Sequence, residues 1–147
     1  MKPFSFRLDS ILRYRDYLEK RAQRDLFSAK NEYIERVKAV KRLAEERVET
    51  ARRCMDEGFK GIDVALYQIY LSFMQGLDND IERTHISIKK AEGKVKAQEV
   101  ALRKESIKKK TLELLKELQL KRYLEGLDKE EQKVVDELVI LRKGVRG

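Results

Sequence analysis

Few residues of this chain have the types and spacing that chemistry needs. Cys54 is the one cysteine and His85 the one histidine in 147 residues. There is therefore no internal disulfide, no Cys-based zinc site and no second imidazole for a metal cluster or a dyad. Carboxylates stand as neighbours at Glu45/Glu46 and Glu130/Glu131, the groups that general acid–base work uses, but a helix flank offers no concavity to hold a substrate. Gly58-Phe-Lys-Gly61 has the Gly-x-x-Gly outline with which KH domains clamp a nucleic-acid backbone. Those domains need a sheet, so the helix-to-helix turn is the expected reading. Cys54 reads as core and His85 as surface. The pattern is that of a non-enzyme, with no catalytic residues, no metal site and no cofactor.

The elements that would carry these residues are long helices. Ala, Glu, Lys, Leu and Arg make up more than half of the chain, 41% of the residues are charged, and there is one proline, Pro3. That composition points to coiled coil or long helix and excludes a β-rich fold, which would lack turn formers. Ser5 is the expected N-cap of a first helix over about 6–57. Its apolar stripe runs Leu18, Ala22, Leu26, Ala29, Tyr33, Val37, Val40, Ala44, Val48, Ala51, Met55. The 4-4-3 rhythm predicts an eleven-residue repeat and a nearly straight pair. Gly58 suits the C′ position, a turn follows at 58–61, and Asp63 caps a second helix over about 63–142.

The second stripe runs Leu66, Tyr70, Phe73, Leu77, Ile81, Thr84, Ile88, Ala91, Val95, Gln98, Leu102, then less regularly to Leu141. The short turn makes the two helices antiparallel. Folding about 60 pairs Met55 with Ala65 and Leu8 with Leu112, so residues past about 116 have no partner in the chain. The expectation is a single all-α domain over 1–147: an antiparallel coiled-coil hairpin with a C-terminal helical overhang. An unpartnered stripe on that overhang asks for a partner or for self-association.

Two surfaces remain open. Residues 1–57 and 89–122 carry more positive charge than the net +8 of the whole chain, with Lys89, Lys90, Lys94, Lys96, Lys104, Lys108, Lys109 and Lys110 the densest run. Such a run is either a solvated face or a site for nucleic acid, anionic lipid or an acidic protein groove; without interleaved aromatics it does not favour nucleic acid. Val64 to Leu77 is free of charge and too short to span a bilayer. With no signal peptide visible, a soluble cytoplasmic protein is expected. Leu66, Tyr70, Phe73 and Leu77 could face the first helix, which leaves Tyr67, Leu71 and Met74 on an adjacent face. The segment is either a thicker core or an exposed docking patch.

The opening Phe4-Ser-Phe-Arg-Leu-Asp-Ser-Ile-Leu-Arg-Tyr-Arg, with Glu131-Gln-Lys-Val-Val-Asp-Glu137 near the other end, resembles the FliJ family of bacterial flagellar export proteins. The resemblance implies a non-enzymatic stalk or escort component of the flagellar type III export apparatus. It also implies three partners: the hexameric export ATPase, the cytoplasmic domain of the membrane export gate, and export chaperones. The place implied is the cytoplasmic face of the inner membrane near the basal body. Phe73 and Leu77 match the gate-contacting region, with Tyr67, Leu71 and Met74 beside them. Asp80 and Thr84 follow where the family can carry a small residue and a histidine. Leu8, Ile11 and Leu12 with Leu127, Val134, Leu138 and Leu141 fall at the end that resembles the ring-inserting part of a rotary stalk. Other readings are the equivalent stalk of a virulence-type injectisome and a basic arm that binds nucleic acid or a ribosome.

Overall fold

The computed structural model describes residues 2–146. They form two helices, α1 (Asp9–Lys60) and α2 (Val64–Arg146), with no strand among the described residues. Nothing after Pro3 interrupts either helix, and α2 continues through Gly76, Gly93 and Gly126. Ion pairs one turn apart (Asp16–Lys20, Glu32–Arg36, Glu49–Arg53, Glu92–Lys96) place the acid on the N-terminal side, the favourable order for such pairs.

The start of α1 and the turn differ from the expectation in detail. Ser5 caps nothing. The Leu8 carbonyl accepts the first helical hydrogen bond, from Leu12 N–H at 2.9 Å, and the Phe6 carbonyl accepts from Asp9 N–H at 3.1 Å. Residues 2–6 stay outside the helix, and the aromatic side chains among them are drawn onto α2. At the other end Gly58 is helical, and Gly61 is the left-handed residue, φ 87°, that ends α1. A side chain at that angle crowds its own backbone, so the C′ role falls to the second glycine. Asp63 does precede α2, its carbonyl accepting from Tyr67 N–H at 3.0 Å.

The shifted turn moves the pairing. Contacts group the chain into two compact units, Met1–Lys20 with Arg103–Gly147, and Arg21–Leu102. In the second unit Arg47 pairs with Asp78 and Glu32 with Lys94. In the first, Asp16 pairs with Lys109, Asp9 with Lys116, and Lys2 with Tyr123. The helices are antiparallel in both units, with partners about one and a half helical turns further along α2 than a fold about 60 would give. The overhang accordingly begins past Tyr123, not past 116; from Asp128 to Val145 every side chain is exposed.

The seam follows a heptad rather than an eleven-residue repeat. From α1 the covered positions are Leu8, Leu12, Arg15, Glu19, Ala22, Leu26, Ala29, Tyr33, Arg36, Val40, Leu43, Arg47, Thr50 and Cys54, all buried or half-buried. From α2 they run Tyr70, Met74, Leu77, Ile81 and onward in the same 4-3 alternation to Tyr123 and Gly126. This 3.5-residue period belongs to left-handed coiled coils. The eleven-residue rhythm arose because four seam positions on α1 (Arg15, Glu19, Arg36 and Arg47) are charged and Thr50 is polar. A stripe drawn through apolar residues alone steps from Arg36 to Val37 and from Arg47 to Val48, and the shifted register then takes Ala44 in place of the seam's Leu43. Those neighbours are exposed. They form a second, uncovered heptad stripe that also holds Phe27, Ile34 and Met55.

The turn assignment is tested by two alanines. Gly61→Ala should lower stability by about 1–2 kcal/mol because it forces a side chain into the left-handed region. Gly58→Ala, in open space within a helix, should raise it by up to about 1 kcal/mol. Thermal melting followed by circular dichroism reads both.

Candidate functional site

The charge-free segment resolves into an inner and an outer face. Met74 and Leu77 lie in the seam at 9% and 5% exposure, whereas Phe73 is 49% exposed. Of the residues that could face the first helix, Tyr70 and Leu77 do and Phe73 does not, and Met74 lies in the seam and not on the adjacent face. A heptad seam steps from Tyr70 to Met74 to Leu77 and passes Phe73 by. Tyr67, Leu71, Leu66 and Ile69 are exposed as well. Ile69, Ser72, Phe73, Gly76, Leu77 and Asp80 line a shallow open depression, which continues toward Thr50, Arg53, Leu66 and Tyr70. Gly76 leaves room over its floor, with nothing within 4 Å of where a Cβ would stand. Arg47 braces this region from α1. Its guanidinium reaches the Met74 Sδ at 3.1 Å and donates to Asp78 Oδ1 at 2.9 Å.

The other unit is held by charge. Arg15 and Glu19 of α1 meet Glu105 and Lys109 of α2 at seam positions. Lys109 Nζ lies 2.8 Å from Asp16 Oδ1, 3.2 Å from Glu19 Oε1 and 3.7 Å from Glu113 Oε1. Arg15 stands 3.8 Å from Glu105 Oε2, a buried oxygen with no hydrogen-bond partner. Hydrogen bonds from Lys109 and then Lys20 hold the Asp16 carboxyl below its ordinary 3.8. The same carboxylates, Asp16 first and then Glu19, push the Lys109 ammonium up.

Beside this ionic seam the N-terminal segment ahead of α1 forms a strap across α2. Phe6 is buried, with Lys116 Nζ 6.0 Å from its ring centre. Phe4 packs on Tyr123 with ring centres 5.6 Å apart, and the Tyr123 hydroxyl donates to the Lys2 carbonyl at 2.5 Å. Leu8 and Leu12 are half-buried in the seam, whereas Ile11 is exposed. Past the strap the seam positions turn polar (Glu130, Lys133, Glu137), and the apolar stripe jumps by one residue to Leu127, Val134, Leu138 and Leu141. Leu127 is half-buried, and the other three are exposed. One residue is about 100° around a helix, so this stripe faces another way than the coil it extends. Leu127, Glu130, Glu131, Val134 and Val135 line a shallow depression there.

Cys54 is buried in the seam and His85 exposed. Among the described residues no group of three or more His, Cys, Asp or Glu side chains could hold a metal ion, and no helix is long and apolar enough to cross a membrane. A family model described as flagellar FliJ protein matches residues 4–146, from the strap through the end of the overhang. The chain belongs to the FliJ family. FliJ is a component of the flagellar export apparatus, non-catalytic as a family. No curated protein and no solved structure matches the chain. The Phe-x-Phe opening of the FliJ sequence acquires a physical role here, since its rings fasten the N-terminus to α2. The charged seam was missed because a search for apolar periodicity skips Arg15, Glu19, Glu105 and Lys109; their 4-3 spacing was the available signal.

Two outcomes follow for stability. Leu77→Ala empties a seam position and should cost about 2–5 kcal/mol, whereas Phe73→Ala, on the open face, should cost less than about 1 kcal/mol. A carboxyl depressed in the folded state stabilises above its unfolded pKa, and that contribution is lost as pH falls through the folded value. Melting temperature should therefore drop on acidification between about pH 5 and pH 3, and drop less for Asp16→Asn than for the native chain.

Proposed function

We propose that this FliJ protein is a non-enzymatic stalk of the flagellar export apparatus, working at the cytoplasmic face of the inner membrane. In this reading the overhang docks in the hexameric export ATPase, with Leu127, Val134, Leu138 and Leu141 as its contact stripe. Leu8 and Leu12 act from inside the seam by holding the strapped end rigid, and Ile11 adds an exposed contact. At the turn end Phe73, Tyr67 and Leu71 take up the cytoplasmic domain of the export gate, with Leu77 and Met74 as the floor beneath them. Export chaperones are further partners of the coil. The observation that carries the proposal is the unpartnered overhang stripe, in a chain whose match to the FliJ family runs from 4 to 146. A contiguous apolar stripe on a surface marks an interaction site.

The chain should hydrolyse no nucleotide alone and should raise turnover or ring assembly of its cognate export ATPase. Leu138→Asp, at an exposed position, should remove that stimulation without changing helix content. In a pull-down with the gate's cytoplasmic domain, Phe73→Ala should lose binding and keep its melting temperature. An ATPase indifferent to the native chain removes the stalk reading; unchanged gate capture by Phe73→Ala removes the gate assignment.

A further inference from the structure

In the unit that joins Met1–Lys20 to Arg103–Gly147, charge is sorted between seam and surface as far as Arg122. Asp9, Asp16, Glu19, Glu105 and Glu113 are all half-buried. They pair with Arg15, Lys109 and Lys116, which lie in the seam with them. The bases further round α2 have no such cover. Arg103, Lys104, Lys108, Lys110, Lys121 and Arg122 are exposed. Lys108 reaches Glu105 at 4.0 Å, and the other five pair with no carboxylate among the described residues. From Arg103 to Arg122 the exposed acid is Glu117 alone; Glu125 and Asp128 follow and close the patch. The acids are taken up inside, and the excess of positive charge is left outside.

The same face carries aliphatic side chains. Ile107 and Leu114 each stand two residues from the nearest seam positions, about 200° around the helix and so away from α1. Leu118 lies one turn on from Leu114. The three are 60%, 51% and 44% exposed. One turn to either side of Ile107 stand Arg103, Lys104 and Lys110, and one turn past Leu118 stand Lys121 and Arg122. Long basic side chains lay their stems along such a row and hold their charges beyond it. Bases that ring an apolar row match a bilayer surface, where headgroup phosphates lie above an acyl boundary. Nucleic acid would use the bases alone, and 103–122 holds no aromatic on which a base could stack. Ile107, Thr111, Leu114 and Leu118 do have the spacing of a seam for a facing helix. Lys104 and Lys121 end that row within two heptads, however, where a coiled-coil partner needs about three or more. We infer that the Arg103–Arg122 face of α2 binds the surface of an anionic phospholipid bilayer, its bases on the phosphates and Ile107, Leu114 and Leu118 at the headgroup boundary. None of the residues assigned to the ATPase or the gate takes part, so this contact stands or falls apart from those.

Cosedimentation of the full chain with lipid vesicles tests it. The chain should pellet with vesicles of phosphatidylcholine and phosphatidylglycerol in equal parts, and stay in solution with phosphatidylcholine alone. Arg103→Gln, Lys104→Gln and Lys110→Gln together should weaken binding at least about tenfold. The same change of charge at Lys129, Lys133 and Arg142, exposed bases beyond the patch, should weaken it less than about threefold. Ile107→Gln removes no charge and should still weaken vesicle binding at least about threefold. Circular dichroism should be unchanged throughout, because every substituted side chain is exposed. A native chain that leaves the anionic vesicles unbound overturns the inference, as does equal binding to phosphatidylcholine alone. Equal losses from the two triple variants would reduce the effect to net charge and overturn it too. Duplex DNA bound as tightly as the anionic vesicles, with Ile107→Gln without effect on either, would give the bases to nucleic acid instead.

Discussion

A two-stranded coiled coil covers one two-position stripe on each helix and leaves every other side chain in water. In this chain that limit decides what is structure and what is surface. The seam takes Met74 and Leu77, so Phe73 must face out, and it takes Leu43, Arg47 and Thr50, so Ala44, Val48 and Met55 are left uncovered. Where α2 outruns its partner at Tyr123, the stripe rotates to a new face. Each candidate docking surface is the remainder after the seam has been filled.

The seam is also more polar than stability alone would select. Arg36 donates to Ser87, Arg47 reaches Asp78, and Arg15, Glu19, Glu105 and Lys109 face one another. Charges taken partly out of water cost desolvation free energy that their pairing offsets only in part. What they contribute is register, because slipping α2 by one heptad would separate Lys109 from Asp16 and Lys116 from Asp9 together. Where the ionic section ends, Phe4 and Phe6 add apolar cover that α1 no longer supplies.

The helical class, the antiparallel layout and the overhang were legible because they follow from composition, the missing prolines and the two glycines near 60. The second stripe was read correctly from Leu77 to Leu102, where most seam positions on α2 are apolar. On α1 the reading held from Ala22 to Tyr33 and then drifted, since Arg36 and Arg47 occupy the seam and apolar Val37 and Val48 lie beside them. The error of about one and a half turns in pairing came from assigning the left-handed residue to Gly58 instead of Gly61, a choice that local sequence leaves open. The strap was invisible to periodicity, because Phe4 and Phe6 belong to no helix. The family resemblance rested on that same Phe-x-Phe opening.

Cys54 and Met55 are adjacent in sequence and lie on opposite sides of the account. Cys54 is 8% exposed in the seam, and Met55 is 64% exposed on the uncovered stripe. The heptad phase is tested most directly by the rate at which a maleimide alkylates Cys54 in the native chain, compared with Met55→Cys in a Cys54→Ala background. The account predicts that the thiol at 54 reacts at least about tenfold more slowly, as a site that must open by more than about 1.4 kcal/mol before it reacts. Equal rates, or a slower thiol at 55, would place the seam one residue on and contradict it.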